Sequence, residues 1–332
     1  MVFGIIAGVI VLLMAVGAVL HATRSKAKLA RIQPYGALVD VDGGRMHVYT
    51  VGSGGHTVVL LPGSGVALPC ADFGPLMHRL AEKHTAVCVE YFGVGFSSQT
   101  DKPRTCEAYA EEIRAALKAT GHQPPYVLMP HSVSTVYSEY YAAKYPNEVE
   151  AIISLDGTST AYYEKLPGFV KPMLKVAKFQ QFIGLTSAMA PLAVNRKQLL
   201  AHGYTEKEIA DMLMFAGFSV NDTMLEQIAE SAEFIKQAMA FPFPASVPYF
   251  KVISKKTYET PNPQFKKAGM TPQDYQHRHL ERVGSHAQYE ILDGTHFIYL
   301  NNADRIAQIT DGVISRVLIL TWVLPDKIKG LR

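Results

Sequence analysis

Cysteine is scarce in this chain of 332 residues. Cys70, Cys88 and Cys106 are odd in number, far apart and without a Cys-x-x-Cys pair. That argues against a disulfide framework and against a cysteine zinc site, and points to reduced, partly buried thiols. Excess charge is also lacking: the formal net charge is +3, and no run of Lys and Arg is interleaved with aromatics. Nucleic acid is therefore not an expected partner. Without repeats or low-complexity tracts, the length fits one large domain, or one domain carrying an insertion. The Gly-rich turn at 63–65 has no lysine at phosphate-loop spacing, which disfavours nucleotides. Asp40 and Asp42 have no further carboxylates at calcium-loop spacing and suit a turn instead. His277, Arg278 and His279 lack ligand spacing and read as solvated surface. No metal and no cofactor are expected.

Apolar residues, by contrast, crowd the N-terminus. VFGIIAGVIVLLMAVGAVL, residues 2–20, holds neither a charge nor a proline. At about 1.5 Å per residue the run reaches roughly 28 Å, close to a hydrocarbon core of about 30 Å. A cleaved signal peptide carries basic residues ahead of a shorter apolar core. Here Arg24, Lys26, Lys28 and Arg31 all follow the run. The expectation is an uncleaved single-pass anchor over 1–22 and a basic connector over 23–35. By the positive-inside rule those cations place the body of the protein on the cytoplasmic side.

Beyond the connector, GALVDVDGGRMHVYTVGSGG reads as two strands joined at Asp42-Gly43-Gly44. TVVLLPG (57–63), TAVCVEY (85–91), YVLMP and VEAIISLD (149–156) are continuous apolar runs, the pattern of strands covered on both faces. Helical patterns alternate with them: ADFGPLMHRLAEK, CEAYAEEIRAALKAT and VSTVYSEYYAAKYP. Such alternation predicts an α/β fold, a mostly parallel sheet wrapped by helices. The rhythm breaks over 157–246, where helical patterns occur without a convincing strand. Strands resume at VPYFKVI (247–253) and HAQYEIL (286–292), and a helix closes the chain. The expected organisation is a sheet core of 36–156 and 247–332 with a helical cap of 157–246 inserted over the strands' C-terminal ends.

MPHSVS (129–134) sets Ser132 between a strand end and a helix start. Serine is a favoured helix cap, so position alone decides little. A nucleophile elbow, however, needs small residues two before and two after the serine, and Pro130 and Ser134 stand there. A base is available in LDGTHFIYLNNADRIAQI, which places His296 in the loop after the last strand. The Gly-Ser-Gly turn in LLPGSGVALPC can aim backbone N–H groups inward. The Ser64 and Val133 N–H groups are the expected oxyanion-hole donors, the second at a helix N-terminus.

Taken together, VVLLPGSG, VEYFGVGFSS, YVLMPHSVS and LDGTHFIYLNNADRIAQI, in that order, resemble the α/β-hydrolase superfamily over residues 37–323. The resemblance implies a catalytic Ser132 and His296 with an acid to orient the imidazole. In most of the family that acid follows strand 7, where this chain reads FKVISKKTYET and offers only Glu259. Some members, certain haloalkane dehalogenases among them, carry it after strand 6, where Asp156 stands. Asp156 is the preferred acid and Glu259 the alternative. Pro62, Pro130 and Ser134 depart from residues usual in the family.

A serine nucleophile implies acyl transfer to water, whereas epoxide and haloalkane hydrolysis on this fold use an aspartate nucleophile. MLMFAGF and AMAFPFP, rich in Met and Phe, suit a small lipophilic ester or serve as the cap's own core. The expectation is a membrane-anchored serine hydrolase of the carboxylesterase kind. Two alternatives stand: a non-catalytic small-molecule binder on the same scaffold, and a peptidase or amidase. The second would want an acid-lined cap, but Glu206, Glu208, Asp211, Glu226, Glu230 and Glu233 read as helix surface.

Overall fold

In the computed structural model, which describes residues 2–163 and 165–323, eight strands form one sheet. They are β1 (Ala37–Val41), β2 (Gly44–Val51), β3 (Thr57–Leu61), β4 (Thr85–Glu90), β5 (Tyr126–Pro130), β6 (Val149–Leu155), β7 (Tyr249–Ser254) and β8 (Gln288–Leu292). Their order is β1-β2-β4-β3-β5-β6-β7-β8. β2 runs antiparallel to both its neighbours, β1 and β4, and every pairing from β4 to β8 is parallel. Asp42 (φ 48°) and Gly43 (φ 84°) turn the β1–β2 hairpin, both in the left-handed region that a type I′ turn requires.

The apolar runs form central strands because both faces are covered. Val59, Leu61, Val87, Val89 and Leu128 pack on one side under the helices Cys106–Ala119 and Ser134–Lys144. Val58, Leu60, Cys88, Val127 and Met129 alternate onto the other, under Gly74–Leu80 and Ala303–Val323. Period-2 alternation thus feeds two cores. All three cysteines are buried and unpaired.

Helices fill the chain between β6 and β7, the longest being Val170–Phe182 and Asp222–Met239. They reach back over the loop after β4: Asn221 Nδ2 donates to the Gly93 carbonyl at 2.6 Å, and Phe215 lies edge-on to Phe96. The N-terminal helix Val2–Leu20 continues through a π turn to Leu29. Its apolar window has no buried part, which by length and composition makes it a candidate membrane span.

Three local expectations are corrected. The helix expected over 71–83 breaks at Phe73 into Pro69–Asp72 and Gly74–Leu80. His279 is not solvated surface: in the amphipathic helix Pro272–Val283 it shares the inward face with Gln276 and Val283, and bonds Glu139 and Lys251. Glu208 and Asp211 are buried as well, Glu208 closing a capping box with Thr205 and Asp211 accepting from Tyr35 and Lys207. The end of the expected core segment, from residue 324 on, lies outside the described residues.

Candidate active site

Ser132 occupies the turn between β5 and the helix that follows, with φ at 55°. A non-glycine residue in the left-handed region costs about 1–3 kcal/mol and persists only where its surroundings fix it. Here they do. The Ser132 N–H donates to Leu155 O at 3.2 Å, the Ser132 carbonyl accepts from Thr158 N at 3.0 Å, and the His131 N–H donates to Leu61 O at 2.9 Å. The turn is pinned to strands on both sides, and the hydroxyl is pushed outward.

Ser134, two residues on, explains its own presence. Its hydroxyl donates to the Pro62 carbonyl and lies 2.8 Å from the Tyr91 hydroxyl. A side chain thus ties the elbow to the loop after β3. In that same loop Gly63 must stay bare, because a Cβ there would sit 2.7 Å from His131 Nδ1 and 2.8 Å from Ser132 Cβ.

His296 reaches the turn from the loop after β8. Its Nε2 lies 2.9 Å from Ser132 Oγ, and its Nδ1 lies 2.7 Å from Asp156 Oδ2. With Nδ1–H donating to the carboxylate, Nε2 is free to accept from the serine hydroxyl. The imidazole is 44% exposed, so a substrate can reach it, while the Asp156 side chain is fully buried. Asp156 follows β6, itself at φ 45°. Its Oδ1 accepts from Ser254 N at 2.9 Å, and its Oδ2 accepts from Thr257 Oγ1 at 2.7 Å as well as from the imidazole. The structure therefore brings Ser132, His296 and Asp156 together. Glu259 is exposed at the end of the helix Lys255–Glu259 and makes no hydrogen bond or ion pair with His296.

The expected oxyanion donors lie on the two loops that meet here. Val133 is the N-cap of the helix Ser134–Lys144, where N–H groups lack intrahelical partners. Among the described residues neither the Ser64 nor the Val133 N–H donates to a protein acceptor. Both stay available to an anion.

Several further residues position these side chains without standing out in the sequence. Ser254 Oγ donates to the Gly294 carbonyl at 2.9 Å and also caps the helix carrying Thr257. A serine ending an apolar strand, where it can cap the helix that follows, is the available signal. His131 supports the His296 loop, with Nε2 3.0 Å from the His296 carbonyl and its ring beside those of His296 and Tyr299. Burial, and secondarily the nearby imidazole of His296, push its pKa down to about 3. Its Nδ1 finds no donor, as suits a neutral ring.

A testable consequence concerns stability. An unfolded histidine titrates near 6.5, so between about pH 6.5 and 3 the unfolded chain holds a proton that native His131 refuses. Stability then rises with pH across that window, and falls on acidification by up to about 1.4 kcal/mol per unit from this group. His131→Gln should flatten that part of the slope, read as urea midpoints from pH 6.5 to 4. An unchanged slope would count against a neutral His131.

Known proteins place this architecture. Residues 57–182 match the alpha/beta hydrolase fold family model. The uncharacterized protein YbdG of Bacillus subtilis is 31% identical over 308 residues, 91% of this chain and 92% of its own. A 2-(acetamidomethylene)succinate hydrolase of Mesorhizobium japonicum is 31% identical over 122 residues, 36% of this chain and 42% of its own. Among solved structures, the Cif epoxide hydrolase from Acinetobacter nosocomialis superposes with a TM-score of 0.66 over 90% of this chain and 96% of its own. At 14% identity that likeness speaks for the fold alone. Family model, relatives and architecture agree: the chain belongs to the alpha/beta hydrolase fold family.

Proposed function

We propose that the protein is a membrane-anchored serine hydrolase that cleaves a carboxylic ester bearing an apolar group through an acyl-enzyme. The observation that carries this reading is the pair of short contacts at 2.9 and 2.7 Å from one imidazole to Ser132 and Asp156. Ser132 Oγ attacks the ester carbonyl as its proton passes to His296 Nε2. Charge gathers on the carbonyl oxygen, where the Ser64 and Val133 N–H groups receive it. The C–O bond to the alcohol breaks, and the imidazolium returns its proton to the departing alkoxide. Water repeats the sequence on the acyl-enzyme with His296 as base, releasing the acid and restoring Ser132. Asp156 stays ionised throughout and stabilises the imidazolium.

Two features support an apolar substrate delivered near a bilayer. A cavity of about 560 Å³ runs from Gly65 and Val66, just past Ser64, to Phe218 and Met224 of the inserted helices. Leu29, at the end of the N-terminal helix, forms part of its wall. The four cations after residue 20 favour the cytoplasmic side for the catalytic part.

The test is covalent. The full-length protein in detergent or nanodiscs should react with a fluorophosphonate probe and hydrolyse short or medium acyl esters. If probe and esters are both left untouched while ligands bind saturably, the scaffold is a binder and the enzymatic reading fails. Gly63→Ala should cost about a hundredfold in kcat/KM, because displacing Ser132 by an ångström is enough to misalign the attack. Ester turnover by the variant at wild-type rate would show that the Gly63 contact is unimportant.

A further inference from the structure

We propose that the helices Val170–Phe182 and Leu185–Ala193 form a second membrane-contact surface, lying in the headgroup region of the bilayer that the N-terminal helix enters. Phe169, Met173, Val176 and Phe179 stand at i, i+4, i+7 and i+10, one face of the helix, and are 49–66% exposed. Leu185, Met189 and Leu192 continue the apolar surface on the second helix at 41–79% exposure. Apolar side chains this exposed, in two adjacent stripes, are not a soluble surface.

Charge and depth both identify the occupant. Lys171, Lys175 and Lys178 repeat the same i, i+4, i+7 spacing on the other side of that helix, all exposed, with Lys178 paired to Asp222. From residue 165 to 205 the chain contains Lys165, Lys171, Lys175, Lys178, Arg196 and Lys197 but no Asp or Glu. An apolar face on a helix whose polar side is basic, in a segment without carboxylates, suits an anionic lipid surface rather than a protein core.

The depth is set by contact with the candidate span. The turn between the two helices touches the N-terminal helix at Gly17, where a Cβ would overlap the Ile183 carbonyl oxygen and where Gly184 also packs. One turn further, the His21 ring stacks on Phe218 at 4.2 Å and its Nδ1 lies 3.2 Å from Ser187 Oγ. Gly17 is three residues before Leu20, the end of the uncharged run, or about 4.5 Å inside it. Interfacial helices ride with their apolar face roughly 5–10 Å into the headgroup boundary. The turn lies at that level. Gln181 and Leu29 both line the cavity described above, so a lipophilic molecule entering from this surface would meet the loop of Ser64.

The inference rests on the anchor of the proposed function but not on its chemistry, and the test separates the three. Single-cysteine variants Met173→Cys, Leu192→Cys, Leu12→Cys and Gln123→Cys of the full chain are labelled with an environment-sensitive fluorophore. The native cysteines are buried and should stay unlabelled. In nanodiscs of phosphatidylcholine and phosphatidylglycerol carrying a lipid-borne quencher, labels at 173, 192 and 12 should lose several-fold more emission than that at 123. A quenched Leu12→Cys with Met173→Cys and Leu192→Cys like the control overturns the surface and leaves the anchor. All three test labels like the control overturn both. Labels at 173 and 192 that shift to the blue but escape the lipid quencher mean that a second copy covers this face, which also overturns the proposal. Ester turnover is untouched by any of these outcomes.

Discussion

Ser132→Ala is expected to abolish fluorophosphonate labelling and to lower kcat for ester hydrolysis by roughly 10⁴–10⁶, with KM little changed. In the proposed mechanism the serine oxygen forms the new bond, and without it the Ser64 and Val133 N–H groups would only polarise a carbonyl for bulk water. The fold should survive. Alanine meets the same left-handed constraint at φ 55°, and the backbone bonds to Leu155 and Thr158 do not involve the side chain. Unchanged thermal unfolding beside vanished turnover is the expected pair of readings. A variant that keeps its turnover would remove Ser132 from the chemistry.

Asp156→Asn should lower kcat by about 10⁴ while leaving probe access and fold intact. The direction follows from donors and acceptors. The Ser254 N–H, which cannot rotate, fixes the amide oxygen at the Oδ1 position. The amide NH₂ then faces His296 Nδ1, which must give up its proton to accept. The imidazole is left with Nε2–H pointing at Ser132 Oγ, the wrong tautomer for a base. Glu259→Gln serves as the paired control and should retain wild-type kcat/KM, since Glu259 is exposed and bonds nothing at the imidazole. The reverse result, a lame Glu259→Gln beside an active Asp156→Asn, would hand the acid's role to Glu259.

Much of the scaffold follows from short-range pattern. Continuous apolar runs mark β3 to β6, because a strand covered on both faces has no reason to alternate. The Asp42-Gly43 pair declares its hairpin through the φ each residue tolerates. Uncharged residues 2–20 declare a helix long enough to cross a bilayer. Helix ends and buried faces were less legible. Phe73 interrupts a pattern that looked continuous, and His279 goes inside because Glu139, 140 positions earlier, waits there as its acceptor.

The amino-acid order by itself determined the strand–helix alternation, the interruption after residue 156 and the identity of a serine and a histidine at loop positions, since each is written in neighbouring residues. Only the tertiary structure decided which carboxylate faces His296, that Ser134 fastens the elbow to Pro62, and which apolar residues of the inserted helices stay uncovered. Those outcomes depend on strand order in the sheet, which sets β6 beside β5 and β7. Local propensity is blind to such partners, because the free energy of a contact across a hundred residues is realised only when the whole sheet has closed around it.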